Sequence, residues 1–458
     1  MAVRTLSGRG RSLRLDVLDA PVLTTAAGLL TLGLPLVFLH IAYQPTLTIH
    51  LGGVAPQLDL SDLAVLASAA AALAAGVVHG FRPLRSGTPI WIAGAALLAM
   101  IVLATLYPLA GSRSYAWKTH LVSAGKFVEY ALLALAVPLA VRRSRELRLV
   151  LAGLVAWSCV ATAFAIGQFF GWSAAGAYPA GRRQPSFLGH HDFAALSGGA
   201  LAVALAALLV PGWRVDRRLA VAAGLSGATG IVISGSSAGA IGLAAGTAAA
   251  LLAARLRRTL TLRTVAVAVA VVAAVGAAVV ALRAGDFEQY LHRREATKQQ
   301  NVETYVQHSL LAYIGLRIFL DHPAVGVGWQ GSTEPSAYRP QLPAAHRRYP
   351  NAPELAFPSV EHPWGIQNAY VQALADLGVV GFVLFVGLYL TGLAAASVPV
   401  LRGPPQLAGP ALAAAVWLLV TAGVWGAVGL VAGIPLDGAM WLGLGLAAAA
   451  RAGPADAF

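Results

Sequence analysis

Residues 262–282 read LRTVAVAVAVVAAVGAAVVAL, a run of small and aliphatic side chains broken by a single basic residue. A helix needs about 20 such residues to cross a hydrocarbon layer about 30 Å thick. The stretch 378–395 has the same character. Strict alternation of apolar and polar residues, which a membrane β-barrel requires, is absent from the sequence. The runs therefore predict membrane-spanning helices, which satisfy their own backbone hydrogen bonds in lipid.

Composition extends this interpretation to the whole chain. Hydrophobic residues make up 58% of its 458 positions, charged residues only 11%, and the mean hydropathy is +0.70. Soluble domains are about half apolar and about a quarter charged. The fold class that we predict is an all-α integral membrane protein with about 12 transmembrane helices. Their expected ranges are residues 20–42, 59–80, 89–107, 119–141, 148–170, 192–211, 219–235, 237–254, 263–283, 368–395, 409–432 and 436–450.

The distribution of charge predicts how the chain is oriented. Arginines cluster in the short connections between alternate spans, as expected for cytoplasmic loops. Both termini are then cytoplasmic, and the long insert between the ninth and tenth spans is extracytoplasmic.

A net charge of +13 could suggest that the protein binds nucleic acid. Because the cations lie in short loops rather than on one face, we expect no nucleic-acid partner.

The insert is the most polar part of the chain and the first place to look for function. Residues 286–322 lack proline and show apolar positions at helical spacing, which predicts an amphipathic helix. From 323 to 363, prolines and glycines recur so often that we predict an irregular cap. The expected organisation is a cytoplasmic segment 1–19, a nine-span bundle 20–283, a large extracytoplasmic, partly helical loop 284–365, a three-span bundle 366–450 and a cytoplasmic tail 451–458.

The outer loop before the sixth span contains adjacent arginines. Arg182 and Arg183 violate the local charge bias, and their forked donors suit phosphate oxygens. Binding of lipid headgroups or capping of helix ends is the alternative explanation for the two arginines.

His190 and Asp192 follow at the start of the sixth span. Three adjacent residues, 190–192, cannot all face one ion on a helix, so we expect no metal site and no cofactor.

Two further segments combine turns with ionisable groups. The small-residue turn 234–239 suits close helix packing, which is the favoured explanation for it. In the insert, His308 and Arg317 precede a Pro- and Gly-containing turn at 322–329, and Arg339 follows it. The turn itself is expected to be structural. His308 is a candidate for the active cavity.

The chain re-enters the membrane through another polar segment. Glu361, His362, Gln367, Asn368 and Tyr370 lie at the mouth of the tenth span. Ionisable groups at such a position are functional candidates. The competing explanation is a surface histidine and a helix cap.

Taken in order, these motifs resemble the O-antigen ligase / O-antigen polymerase family of bacterial membrane glycosyltransferases. The likeness covers roughly residues 181–385. The motifs of that family are a Gly-Asn-Pro-Asn-like segment followed by Ala, a Ser-Arg-Gly-like turn, a His-Pro-x-x-Gly-x-Gly turn and a His-Asn-x-Tyr-x-Gln segment running into Gly-x-x-Gly. Their counterparts here are residues 189–194, 236–238, 322–328, 367–372 and 378–381.

The resemblance implies a type C-like, metal-independent glycosyltransferase in the bacterial plasma (inner) membrane. Its donor would be an undecaprenyl-diphosphate-linked glycan, its acceptor a glycan or lipid, and its surroundings membrane lipids.

The sequence departs from the family pattern at two positions: Gln367 stands where the family has histidine, and Ser237 stands where it has arginine. Glutamine cannot act as a general base. The catalytic histidine is therefore not carried over, and His362 or Glu361 is the expected substitute.

These considerations predict a set of site residues. The catalytic candidates are His362, Glu361 and His308. The candidates for binding the diphosphate or glycan are Arg182, Arg183, His190, Asp192, Arg317, Arg339, Gln367, Asn368 and Tyr370.

The alternative function is a transporter or flippase of polysaccharide or lipid-linked substrates without glycosyl transfer. Transporters often show repeated halves and ionisable groups near the bilayer midplane, whereas the ionisable groups here gather at the outer surface.

Overall fold

The computed structural model describes residues 24–49, 55–108, 115–175, 178–285 and 304–453. Apart from a short antiparallel pair of strands, β1 (Thr46–Thr48) and β2 (Gln57–Asp59), the regular structure in these ranges is helical. The α-helices are α1 Ala26–Val37, α2 Leu60–His79, α3 Thr88–Leu106, α4 Trp117–Ala140, α5 Ser144–Phe169, α6 His190–Leu209, α7 Arg217–Ser234, α8 Ser237–Leu256, α9 Leu262–Leu282, α10 Thr304–Asp321, α11 Pro335–Tyr338, α12 Leu342–Arg348, α13 Ala369–Arg402, α14 Pro405–Trp425 and α15 Pro435–Ala452.

The predicted class of all-α membrane protein is confirmed. Within the described ranges, nine helices have the length and composition to cross a membrane: α2 to α6, α8, α9, α13 and α14, with α3 extended by the 3-10 turn from Arg82. The other three predicted spans also form helices. α1 has 12 described residues, and its expected beginning at residue 20 lies outside the described ranges. α7 and α15 have 18 residues each but a less apolar composition.

The two ends of the bundle differ chemically. At one end, basic connections meet helix ends: the Arg142 guanidinium donates to the carbonyl of Gly80 at 2.8 Å, and that of Arg257 to Gly403 at 3.2 Å. At the other end, the Arg283 guanidinium donates to the carbonyl of Gly235 at 3.4 Å. These contacts bring together the C-terminal ends of α2 and α4, of α8 and α13, and of α7 and α9. The side of the membrane on which each end lies stays a prediction.

Helix α14 lies at the centre and contacts α6, α8, α13 and α15. Small residues let it approach closely: a Cβ added to Gly242 of α8 would come within 2.7 Å of the Leu419 carbonyl oxygen. The indole N–H of Trp417 donates to the carbonyl of Ala195 at 2.8 Å. In lipid, such close packing and interhelical hydrogen bonds replace the hydrophobic driving force of soluble proteins. The centre of the bundle is therefore tightly fixed.

The described part of the insert, residues 304–365, forms a cap with its own small core. One face of α10 buries Leu310, Leu311, Ile314 and Ile318. Against them pack Tyr338, Ala345 and Phe357. The amphipathic helix predicted at 286–322 is thus observed over Thr304–Asp321, and residues 286–303, including His292, Arg293 and Arg294, lie outside the described ranges.

The prediction of an irregular segment at 323–363 is wrong in part. This stretch contains α11, α12 and 3-10 turns at 331–333, 339–341 and 354–356. Pro335, Pro340 and Pro343 stand in the first turns of these elements. A backbone N–H has no intrahelical partner at those positions, so the prolines begin short helices instead of preventing them.

The turn 322–329 inserts between α3 and α13 and ties the cap to the bundle. Backbone N–H groups of Val327 and Gly328 donate to the carbonyls of Ala375 and Asp376 at 3.0 and 2.9 Å. The buried Asp376 carboxylate accepts the N–H of Ser332 at 2.8 Å. Helix α13 makes room for the turn by a kink at Gly378, where φ is 65° and ψ is −167°. The turn is structural, as predicted.

We expect the substitution Gly378→Ala to destabilise the protein strongly. A Cβ at this position would overlap the carbonyl of Ala324, and the backbone conformation is one that only glycine adopts readily. The loss should be about 3 kcal/mol or more, because steric overlap adds to the conformational cost. The measurement is the thermal unfolding of detergent-solubilised protein. Gly387→Ala, on the same helix with nothing within 4 Å, is the matched control and should unfold as wild type does.

Candidate active site

The turn between α7 and α8 is the point at which the polar groups converge. Gly235 adopts a left-handed conformation with φ of 62°, and its carbonyl accepts the Arg283 Nη1 donor at 3.4 Å. A Cβ added to Gly235 would come within 2.7 Å of the Arg183 Cβ. The next residue, Ser236, caps α8 through its hydroxyl. Small residues are therefore needed here so that two arginines can reach the same turn.

The loop that carries Arg183 is held by the buried Gln184. The Gln184 side-chain amide donates to backbone carbonyls of its own loop at 3.1–3.2 Å and accepts the N–H of Tyr178 at 3.1 Å. Its backbone N–H donates to the carbonyl of Ile233, at the end of α7, at 2.8 Å. The Arg183 guanidinium lies 5.1 Å from the centre of the Tyr178 ring. These contacts fix the arginine before any ligand arrives.

Arg283 approaches the turn from the C-terminal end of α9. It is only 4% exposed, and its guanidinium lies 4.6 Å from the centre of the Tyr305 ring on α10. An aromatic face favours a desolvated cation at this distance. Arg283 therefore links the spanning bundle to the cap while keeping its positive charge beside Gly235.

Histidines complete the cluster. His190 and His191 begin α6, with their ring centres 3.9 Å apart, and His191 Nδ1 lies 3.4 Å from the Ser236 hydroxyl. His308 comes from α10 in the cap, and Gln367, just before α13, is among the groups that act on its pKa. All three imidazoles interact electrostatically with both arginines.

The electrostatics of His308 show the excess of positive charge. Burial and then the Arg283 and Arg183 guanidiniums lower the pKa of His308 to about 4, and the hydrogen bond to Gln367 opposes them. Within the described ranges, the ionisable groups acting on the three imidazoles are arginines and other histidines, with no carboxylate among them. Asp192 is directed at α15, where Oδ1 accepts the N–H of Leu436 at 2.8 Å. A ligand with several negative charges suits this arrangement.

The helices reinforce that preference. α6 begins at His190 and α8 at Ser237, so both point their N-terminal ends at the cluster. A helix N-terminus carries a partial positive charge and favours anions. The site therefore offers two guanidinium forks and two favourable dipoles to one ligand.

Two predicted substrate-binding residues hold α13 in place. The Asn368 side chain caps α13 by accepting the N–H groups of Tyr370 and Val371 at 3.1 and 3.0 Å. Its amide N–H donates to the carbonyl of Gly426, and the Tyr370 hydroxyl donates to that of Ala422 at 2.6 Å. In the structure described here, these contacts anchor the start of α13 to the end of α14 and so position Gln367.

Other predicted residues lie on the outer surface of the cap. Arg339, Glu361 and His362 are exposed and line a cleft of about 430 Å³, whose lining includes neither Arg183 nor His308. The His362 ring stacks on that of Trp364. Arg317 is also exposed, and its Nε donates to Gln341 at 3.4 Å. In the loop before α6, Arg182 is exposed while its neighbour Arg183 is half-buried.

The structure thus brings together Arg183, His190, His308 and Gln367 from the predicted set. It adds Arg283 and His191, which the sequence analysis did not include among the site residues. Arg283 could have been found by the argument that drew attention to Arg182 and Arg183, because it too is a cation at an end of a span that the sequence predicts to be extracytoplasmic. Among the described residues, no group of three or more metal-ligating side chains is arranged to hold an ion.

Comparison with known proteins supports the same region. Residues 222–386 match a family model described as O-antigen ligase, which confirms the resemblance predicted from the motifs. The matched segment begins in α7 and ends in α13, and it contains Arg283, His308 and Gln367. Arg183 and His190 lie before it. No curated protein sequence matches the chain.

We expect Arg283→Gln to weaken the binding of inorganic diphosphate about 10- to 100-fold, because it removes charge-assisted hydrogen bonds from the site. The measurement is isothermal titration of the purified full-length protein. Arg317→Gln removes the same charge from the exposed surface of the cap and should leave the dissociation constant unchanged. If both substitutions weaken diphosphate binding equally, the affinity depends only on the net charge of the protein and not on a site at Arg283.

Proposed function

Taking the match of residues 222–386 to the O-antigen ligase family as the premise, we propose that this multi-pass membrane protein is a glycosyltransferase. It moves a glycan from an undecaprenyl-diphosphate-linked donor to an acceptor hydroxyl at the extracytoplasmic face of a bacterial inner membrane. The observation that carries the proposal is the convergence of Arg183 and Arg283 with three histidines at one end of the bundle.

The two arginines act on the leaving group. The acceptor oxygen attacks the anomeric carbon, and the bond from that carbon to the diphosphate oxygen breaks with its electron pair on the diphosphate. Charge therefore grows where Arg183 and Arg283 point their donors, and fixed donors at such a place lower the barrier. Guanidinium forks match phosphate oxygens better than ammonium groups do. The proton of the acceptor passes to a base, for which His308 is the candidate at the arginine cluster, whereas His362 and Glu361 line the separate exposed cleft of the cap.

The position of Arg283 suits a lipid-linked donor. It directly follows α9, a span whose valines Val267, Val269 and Val280 are exposed on the outside of the bundle. A polyprenyl chain lying along this apolar surface would present its diphosphate to Arg283 without leaving the membrane. A soluble nucleotide sugar would gain nothing from that arrangement.

We expect Arg183→Ala to reduce release of lipid diphosphate by about 100-fold or more, the usual cost of removing one preorganised donor from a developing negative charge. Purified protein is reconstituted in vesicles with a lipid-diphosphate-linked glycan and a glycan acceptor, and the released lipid diphosphate is quantified. The adjacent Arg182→Ala variant is the matched control and should retain most activity, because Arg182 is exposed. Solute movement across the vesicle membrane without release of lipid diphosphate would instead identify a transporter.

The proposal also predicts the sidedness of the cap. In a Cys159→Ala background, Ser359→Cys in the cap should react with a membrane-impermeant maleimide in intact spheroplasts, because position 359 is exposed and the proposal puts the cap outside the cytoplasm. Arg214→Cys, in the connection between α6 and α7, is also exposed but should react only after the membrane is opened. Labelling of position 359 only in opened membranes would contradict an extracytoplasmic reaction.

A further inference from the structure

We propose that the exposed cleft of the cap binds the glycan of one of the two substrates, at sugar units remote from the reacting bond. The cleft has a volume of about 430 Å³, and its lining includes neither Arg183 nor His308. Sites for small ligands have volumes of about 300–1,000 Å³, so this one has room for a short stretch of sugars. The inference rests on the proposed glycosyl transfer and gives a place to the part of a substrate that lies away from the arginine cluster.

The polar lining of the cleft can both accept and donate hydrogen bonds. Glu354 and Glu361 contribute carboxylates, Arg339 a guanidinium and His362 an imidazole, and all four residues are exposed. Carboxylate oxygens accept from hydroxyl groups and a guanidinium donates to them, so neighbouring hydroxyls of a sugar ring find complementary partners. Two carboxylates and one guanidinium give the lining no excess of positive charge. The cleft therefore suits sugars and disfavours a diphosphate, whereas the arginine cluster suits a diphosphate.

Buried side chains form an apolar floor beneath these groups. Phe357 and Tyr338 line the cleft while belonging to the small core of the cap, and they are only 3% and 1% exposed. Leu342 and Pro358 extend this surface. A sugar ring has a C–H face as well as a hydroxyl edge, so it can lie on an apolar surface while its edge reaches polar groups. Apolar walls with a few polar groups are typical of ligand sites.

The Tyr338 hydroxyl is an independent indication of a ligand. It is buried and has no hydrogen-bond partner among the residues that the structure describes. Buried polar groups in folded proteins nearly always have a partner. Because Tyr338 lines the cleft, a hydroxyl of a bound sugar can be that partner.

The walls of the cleft are held in place before a ligand arrives. The His346 ring stacks on that of Phe357, with the ring centres 3.8 Å apart and an angle of 14° between the planes. The His362 ring stacks on that of Trp364, whose indole N–H donates to the carbonyl of Leu355 at 2.9 Å. Side chains that are already ordered lose less conformational freedom on binding. The exposed residues of the cleft therefore form a prepared surface.

Helix α10 connects the cleft to the arginine cluster. Tyr338 and Phe357 share a hydrophobic core with Leu310 of this helix. Tyr305, on the same helix, lies against Arg283, with 4.6 Å between the guanidinium and the centre of the ring. A glycan bound in the cleft is thus held by the same element that contacts a diphosphate-binding arginine. Binding energy from the parts of a substrate that do not react can position the part that does.

The first experiment measures glycan binding to the purified full-length protein by isothermal titration. The probes are two free oligosaccharides: the glycan released by mild acid from the lipid-diphosphate-linked donor, and the delipidated glycan acceptor. At least one should bind wild-type protein. Tyr338→Phe, which removes only a hydroxyl, and Glu361→Gln, which keeps the size of the side chain, should each weaken that binding about 3- to 10-fold. Arg347→Gln changes an exposed residue outside the lining and should bind as wild type does.

Inorganic diphosphate separates the cleft from the arginine cluster in the same assay. Tyr338→Phe should leave the affinity for diphosphate unchanged, whereas Arg283→Gln should weaken it without changing the affinity for the oligosaccharide. If neither oligosaccharide binds wild-type protein, or if Tyr338→Phe and Glu361→Gln bind it as tightly as wild type does, the cleft is not a glycan site.

The second experiment measures turnover in the reconstituted vesicles. Tyr338→Phe should raise the KM for one substrate about 3- to 10-fold and leave kcat near the wild-type value, because a remote contact is made equally in the ground state and in the transition state. A raised KM for the acceptor assigns the cleft to the acceptor's glycan, and a raised KM for the donor assigns it to the donor's glycan. With that substrate shortened to a single sugar unit, Tyr338→Phe and wild type should have the same KM. A KM difference that persists with the shortened substrate would contradict a remote site.

The outcomes separate this inference from the proposed function. If wild-type protein releases no lipid diphosphate but binds an oligosaccharide that Tyr338→Phe and Glu361→Gln bind more weakly, the glycosyl transfer is wrong and the glycan site stands. If wild-type protein is active and both variants match it in oligosaccharide affinity and in KM, the transfer stands and the inference about the cleft is wrong.

Discussion

The meeting of two arginines at a two-residue turn between spanning helices is the constraint on which the site depends. Arg183 packs its stem against Gly235, and Arg283 donates to the carbonyl of the same glycine. The left-handed conformation of Gly235 and the absence of a Cβ allow both contacts. Concentrating positive charge in this way is unfavourable without an anion. The fold therefore holds the two cations in place for a ligand.

The cap turns this cationic cluster into a possible reaction site. Its turn at 322–329 lies in the kink of α13, and Asp376 accepts a backbone N–H from the 3-10 turn that follows. Because the same helix begins at Gln367 and Asn368, the contact fixes the cap and Gln367 relative to one another. Gly378 thus positions the cap on α13 through packing, because a Cβ there would overlap the carbonyl of Ala324.

Much of the fold could be predicted from local sequence. Hydropathy located the spans, because each helix must satisfy its backbone in lipid by itself. The orientation that the arginines between alternate spans indicate stays a prediction. Among the polar residues predicted at the span mouths, Arg183, His190 and His308 lie in one cluster, and their role in a site stays a prediction. Proline was less informative, since Pro335 and Pro343 begin short helices where an irregular chain was predicted.

What only the tertiary structure decided is which of those polar residues share a site. Arg283 and His191 join it, Asn368 and Tyr370 anchor α13, and Glu361 and His362 line an exposed cleft of the cap. Spacing along one helix reports which residues share a face, but not which face of another helix lies opposite. That choice depends on where small residues let α6, α8 and α14 approach and on where the cap inserts into α13. The sequence by itself determined the helices and their polar ends; packing determined the chemistry those ends can perform.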